Sequence, residues 1–240
     1  MKLIAPPGYA AVVPFDKEIH GQLGVPDEGR YQFASRLNAV YVTCTEFVQS
    51  ARHYPVVFSC DENKSNFTPM VVTSLQSGSN VFTDEKGDWA SDTYIPAYVR
   101  RYPFCIAEIK PEDDGLPQQL VCVDESALSE EAESLYEHGE PSESWTTFQT
   151  FMGEYESARV ATQLFTDALL EHDLLEIFEA QAYHTSGQHY HMTNMYRVKE
   201  AKFKKLPAKV LKMFMEKNYM YFIYAHLMSL DNFQRLLDRS

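Results

Sequence analysis

This 240-residue chain lacks most of the marks from which an activity is read. No P-loop and no dinucleotide fingerprint occurs in it, so neither kind of phosphate cradle is encoded. No G-x-S-x-G elbow or glycine-rich oxyanion loop accompanies its serines, which removes the usual setting of a nucleophilic hydrolase. Its four cysteines, Cys44, Cys60, Cys105 and Cys122, keep no C-x-x-C spacing and sit in apolar or strand-like runs. They are expected to be reduced, buried small residues, not zinc ligands or a disulfide framework. Positive charge is short: 21 basic residues face 34 acidic ones, a formal net charge of −13. That balance argues against nucleic acid as a general partner, because phosphate neutralisation needs a basic face. Long apolar runs are missing as well. One lysine and the short run Leu3, Ile4 and Ala5 precede Pro6 and Pro7, too little for a signal-peptide core. The longest candidate, residues 219–230, is interrupted by His226 and Ser229, so no membrane span is expected and the location reads as cytoplasmic.

What is present describes a folded protein. Hydrophobic residues make up 45% and aromatics 13%, enough for a sizeable core. The sequence reads as a single domain, residues 1–240, that is β-rich over 1–125 and helix-rich over 142–240, with an acidic surface excursion at 111–141. Runs at 10–15, 55–60, 69–75, 104–109 and 119–123 are rich in Val, Ile, Phe and Cys and predict strands. Asp84 to Gly87 carries turn chemistry before Trp89 and predicts a hairpin. A short helix is expected over 45–54, stopped by Pro55, and a helical piece over 128–137. Ser144 is placed to cap a long helix whose apolar positions, from Phe148 through Tyr155 to Leu169, keep helical spacing. A hairpin follows at 176–183 and 189–198 around Ser186 and Gly187, and then Pro207 opens further helices, with Asn218 between two of them. Strands first and helices later predict an α+β fold with mainly antiparallel strands.

Charge is unevenly placed. Residues 108–143 hold twelve acidic residues against Lys110, a local net of −11, and residues 197–217 hold eight basic residues against two acidic, a local net of +6. The two segments are either solvated faces or attract each other, within the chain or between copies of a homo-oligomer.

The densest chemistry lies at residues 89–104, W-A-S-D-T-Y-I-P-A-Y-V-R-R-Y-P-F. Asp92 or Thr93 can cap about two helical turns that carry Pro96 in the first turn and end at Pro103. Tyr98 then shares a face with Arg101 and Tyr102, while Arg100 points elsewhere. Functionally, Arg100 or Arg101 grips a carboxylate or phosphate, and Tyr94 and Tyr98 form a platform for a sugar or peptide. Structurally, the same arginines pair carboxylates such as Glu46 or Asp92 and lock a corner. His184, His189 and His191, with Glu176 and Glu179 nearby, invite a metal reading, although the turn that holds them is expected to be exposed. His226 and Ser229 share a helical face and admit either a base–hydroxyl pair or a core histidine bonded to a backbone carbonyl. His172 and Glu176, one turn apart, read as an exposed polar face.

This text resembles the bacterial SapC-like family, in which a tryptophan precedes Y-I-P-A-Y-x-R-R-Y-P-F. The resemblance continues at Glu46 and Phe47, at Tyr54 to Phe58, at Asn80, Phe82, Gly87 and Trp89, at Tyr196 to Val198, at Leu206 and Pro207, and at Tyr224 to Ser229. Lys199 departs from the pattern, which expects an acidic residue there, and the histidine-rich turn lies outside it. The family is named for a surface-layer protein, and its genes tend to lie near those of TonB-dependent receptors and halogenase-like proteins. The resemblance therefore implies a role in uptake or modification of a nutrient, and it carries across no catalytic residues and no cofactor.

The sequence thus predicts a binding or accessory module that recognises a small acidic ligand or a partner protein. Its candidate ligand-binding residues are Trp89, Tyr94, Tyr98, Arg100, Arg101, Tyr102, Glu46 and His226. One alternative is an enzyme acting on a carbohydrate or amino-acid derivative, with His226 or Glu46 moving the proton. A second is a self-assembling, surface-layer-related structural protein.

Overall fold

The computed structural model describes residues 5–109, 118–183, 187 and 189–239. In chain order its first half runs β1 (Val12–Pro14), α1 (Lys17–His20), β2 (Ala39–Tyr41), α2 (Phe47–Ser50), β3 (Val56–Cys60), β4 (Phe67–Val72), α3 (Ala97–Arg100), β5 (Phe104–Ile109) and β6 (Gln118–Asp124). The second half runs β7 (Tyr136–Glu137), β8 (Glu140–Pro141), α4 (Glu143–Glu171), β9 (Leu175–Tyr183), β10 (His189–Val198), α5 (Glu200–Phe203), α6 (Ala208–Glu216), α7 (Tyr219–Ser229) and α8 (Asn232–Leu237). Strands join in the orders β1-β6-β5, β2-β4-β3-β10-β9 and β7-β8. Every pairing between them is antiparallel, so the fold is α+β.

Branched and aromatic side chains make these strands because they pack well on a pleated, buried surface. Val56, Val57 and Phe58 are all buried in β3, the central strand, which explains a continuous apolar run instead of alternation. The α4 helix starts where the Ser142 hydroxyl accepts the Trp145 N–H, two residues before the serine that the sequence suggested. Phe165 from its C-terminal part meets Phe47, Phe58 and Phe222 with ring centroids 5.5–6.4 Å apart, joining the helices to the five-stranded sheet. Burying each such ring stabilises the fold by about 1.5–3 kcal/mol. A smaller cluster of Phe104, Val123, Leu135 and Trp145 sits beneath the three-stranded sheet.

Several local expectations are corrected. Residues 128–137 are not helical: a 3-10 turn at Glu125–Ala127 gives way to a bridge from Gly24 to Ser129 and then to β7. The turn before Trp89 closes through a single bridge, Thr83 to Trp89, with Gly87 at φ +81 and its α-carbon packed onto Gln32 too closely for a side chain. His172 and Glu176 share no helix face, since His172 packs on the Phe214 ring at the end of α4 and Glu176 belongs to β9. Asn218 does stand between two helices, in the left-handed conformation at φ 61. Part of the acidic segment, 110–117, lies outside the described residues. Basic side chains of the +6 segment pair locally: Lys199 and Lys202 with Asp173, Arg197 with Glu176, Lys204 with Glu200, and Lys212 with Glu216.

Candidate functional site

The arginine–tyrosine segment folds more tightly than its residues suggest. Asp92 takes a left-handed conformation, φ 61, and neither it nor Thr93 caps a helix. Pro96 precedes a single turn, α3, whose first N–H, that of Ala97, is received by Glu46 Oε1 at 2.7 Å. A side chain from 51 residues upstream thus performs the cap. Tyr94 donates its hydroxyl to the same oxygen at 2.8 Å. The other oxygen of Glu46 accepts the Thr43 N–H at 2.9 Å and the Thr43 hydroxyl at 2.7 Å, so this buried carboxylate receives four donors. It pairs with neither arginine, contrary to the expectation that one of them would neutralise it.

Arg101 enters a cage of rings. Its guanidinium carbon lies 4.8 Å from the Tyr98 centroid, 4.9 Å from Tyr155 and 5.9 Å from Tyr9. The residue is 7% exposed. Its Nε–H has no hydrogen-bond partner, and it makes no ion pair with a carboxylate among the described residues. The cage is neutral: burial pushes the Tyr98 hydroxyl up to about 12 and raises those of Tyr155 and Tyr9 as well, with Arg101 opposing the rise in each. Two of the rings are themselves anchored, Tyr98 to the Pro7 carbonyl at 2.6 Å and Tyr9 to the Phe104 carbonyl at 2.9 Å. Beside the cage lies a cavity of about 410 Å³, walled by Tyr98, Arg101, Tyr155, Tyr41, Arg159 and Glu156, with Pro6 and Pro7 at one side. Arg159 Nε and Glu156 form an ion pair at 2.7 Å in that wall.

Arg100 faces the other way. It donates to the Ile95 carbonyl at 3.1 Å and to the Tyr94 hydroxyl at 3.3 Å, and lies 4.9 Å from the Phe151 centroid. It lines a separate, open groove of about 630 Å³ with Arg30, Tyr31, Glu133 and Phe148.

The SapC family model matches residues 15–236. The chain belongs to the SapC family. No curated protein and no solved structure matches it.

Within this SapC chain the remaining candidate residues are spread through the core. Trp89 is buried, donates its indole N–H to the Tyr54 hydroxyl at 3.0 Å and stacks near Phe82. Tyr102 leaves the Tyr98 face and stacks on Phe33 with centroids 3.9 Å apart. Its hydroxyl reaches Asp124, a fully buried carboxylate that also accepts the Ala10 and Ala11 N–H groups and the Ser126 hydroxyl. Burial alone would raise the Asp124 carboxyl, but these hydrogen bonds outweigh it and hold it below the usual range.

His226 is a rung in a sheet. Strands β3 and β10 pair at Tyr196 and Phe58, and the next rung would join Val198 to Val56. The imidazole stands in that place: Val198 N–H donates to Nε2 at 3.1 Å, and Nδ1 donates to the Val56 carbonyl at 2.8 Å. Ser229 accepts the Val56 N–H at 2.9 Å and donates to the His226 carbonyl, so it forms no pair with the ring. Burial pushes His226 down to about 4, against the lift from its Val56 bond, and the ring is neutral. Among the other histidines, His189 stacks on Tyr183 and His191 meets Glu179 at 3.1 Å, while His184 lies outside the described residues. No group of three or more metal-ligating side chains occurs among the described residues. No helix among them is long and apolar enough to cross a membrane.

Sequence reasoning missed Tyr9 and Arg159. Tyr155 was visible only as one of the apolar-face positions of α4. Nothing local links these residues to Arg101, because the cage is assembled from three remote elements.

Proposed function

We propose that this SapC-family protein is a binding or accessory module that takes a small anionic ligand, a carboxylate or phosphate, in the cavity beside Arg101. One observation carries the reading: a buried guanidinium with neutral rings around it, no carboxylate partner among the described residues and a cavity alongside. Contacts to the rings return roughly 0.5–2 kcal/mol each. The desolvation of a buried ion amounts to several kcal/mol, so the cage alone does not offset it comfortably. An anion entering the cavity forms charge-assisted hydrogen bonds worth about 1.5–3 kcal/mol apiece, and Arg101 is the charge in the lining that is offered to it, since Arg159 in the same wall is paired with Glu156. Family membership supports the wider role, an accessory to uptake or modification of a nutrient, and the proposal sets that role in the cytoplasm.

The enzymatic alternative loses its named groups. Glu46 is saturated by four donors and His226 by two backbone partners, and neither lines the cavity.

Titration calorimetry with a panel of small carboxylates, inorganic phosphate and a phosphate monoester tests the proposal. Saturable binding is expected. Thr68→Trp, which fills the cavity from β4, removes it without touching Arg101 or any ion pair described above. Absence of binding by the wild-type chain, or binding indifferent to Thr68→Trp in a variant that melts normally, overturns the assignment.

A further inference from the structure

A second cavity, of about 490 Å³, lies against the smaller core cluster and shares no lining residue with the one beside Arg101. The buried rings of Phe104 and Trp145 make its floor, with half-buried Phe148 beside them at 10° to the indole plane. Asp27, Glu28, Glu131 and Glu133, all exposed, make its rim. The two segments that carry these carboxylates are fixed to each other. Gly24 and Ser129 exchange both backbone hydrogen bonds at 2.9 Å, and Gly24 packs on the Glu133 carbonyl too closely for a side chain. None of the four carboxylates makes an ion pair among the described residues.

Arg30 completes the lining, also without an ion pair among those residues. Its Nη2 donates to the Arg100 carbonyl at 3.2 Å, while its buried Nε–H has no partner. Trp145 is 3% exposed, and its indole N–H has no partner either. Buried N–H groups are nearly always paired, so two unmet donors in the wall of one cavity call for an acceptor. Uncommitted carboxylates around aromatic rings have the opposite appetite, for an ammonium group.

We propose that this cavity is a second binding site, for a small molecule that joins an ammonium and a carboxylate to an apolar body. That is the chemistry of an amino acid with a large apolar side chain. The carboxylate takes the Arg30 and Trp145 N–H groups, the ammonium sits at the acidic rim, and the apolar part packs on Phe104 and Phe148. A simple anion is repelled by four carboxylates set against one arginine, and a simple amine leaves both donors unmet. The volume suits a small organic molecule. This reading does not depend on the anion proposed beside Arg101.

Titration calorimetry with three probes that share one phenyl body tests the proposal. L-phenylalanine carries both charges, phenethylamine only the ammonium, and 3-phenylpropionate only the carboxylate. The titrations are run on the wild-type chain and on Thr68→Trp, whose filled cavity beside Arg101 takes no part. L-phenylalanine should bind both equally, and on Thr68→Trp each single-ended probe should bind at least about tenfold more weakly. Trp145→Phe keeps a ring and removes the N–H. It should weaken L-phenylalanine and 3-phenylpropionate about tenfold and leave phenethylamine unchanged. Glu131→Gln with Glu133→Gln, both at exposed positions, should weaken L-phenylalanine and phenethylamine but not 3-phenylpropionate. Failure of the wild-type chain to bind L-phenylalanine overturns the proposal, as does loss of that binding in a folded Thr68→Trp chain. So does a single-ended probe that matches L-phenylalanine on Thr68→Trp, or a Trp145→Phe chain that weakens all three probes alike. An L-phenylalanine affinity indifferent to the glutamate pair overturns it too, with melting by circular dichroism showing that each variant is folded.

Discussion

Arg100 and Arg101 are neighbours in the chain and opposites in the fold. Arg101 turns inward to three tyrosine rings and a cavity, without a hydrogen-bond partner at Nε. Arg100 turns outward, tied to the Ile95 carbonyl and resting on Tyr94 and Phe151 above an open groove. A one-turn helix separates them by about 100°, and that rotation alone divides a single motif between two faces. Density of chemistry in a sequence is therefore no guide to convergence in space. What converges on Arg101 comes from Tyr9 before β1 and Tyr155 in α4.

The contrast can be broken at its hinge. Glu46 holds both Tyr94, on the Arg100 side, and the first N–H of α3. Glu46→Ala should remove about 4 kcal/mol of stability in denaturant unfolding by orphaning several buried donors. A loss under about 1 kcal/mol would mean that α3 is positioned by its aromatic packing alone.

A second buried base sharpens the comparison. Arg101 remains charged in the interior, whereas His226 sheds its proton, with a folded value of about 4 against 6.5 for the free side chain. The folded state therefore binds the proton less well than the unfolded chain. Stability contributed by neutral His226 is fully present above pH 6.5, is lost as the pH falls, and stops changing near pH 4. The slope between those limits is about 1.4 kcal/mol per pH unit. His226→Gln should flatten that part of the stability–pH curve, measured by denaturant titration at successive pH values. An unchanged slope would place the acid sensitivity elsewhere.

The arginines themselves come next. Arg101→Met should lower affinity for small anions about a hundredfold, equivalent to about 2.7 kcal/mol, and Arg101→Lys should not rescue it, since a point charge lacks the planar fork. Arg100→Met should leave that affinity unchanged and remove only about 1 kcal/mol of stability through its lost hydrogen bonds and ring contacts. If the two substitutions affect anion binding alike, the division of labour drawn between them fails.

Much of the fold was legible because its signals are local. The branched runs of β3 and β4, the helical spacing of α4 and the turn chemistry around Gly187 and Asn218 each report backbone preferences of their own residues. The short strand β2 and the turn helices α1 and α5 were missed because three or four residues carry too little periodicity. The site was less legible for a different reason. Glu46 and His226 were noticed as titratable groups in apolar surroundings, yet one serves as a helix cap and the other as a rung of a sheet, roles defined by backbone brought from far away. Arg101 could be seen as a candidate; its cage could not, since Tyr9 has no pattern around it that points to α3.

The clamp that Asp124 places on Ala10 and Ala11 has a practical side. It fixes the leading strand so that Pro6 and Pro7 form an edge of the cavity beside Arg101, with Tyr98 hooked to Pro7 from within. A substitution at Pro6 or Pro7 is therefore a way to reshape that edge while leaving Arg101 in place.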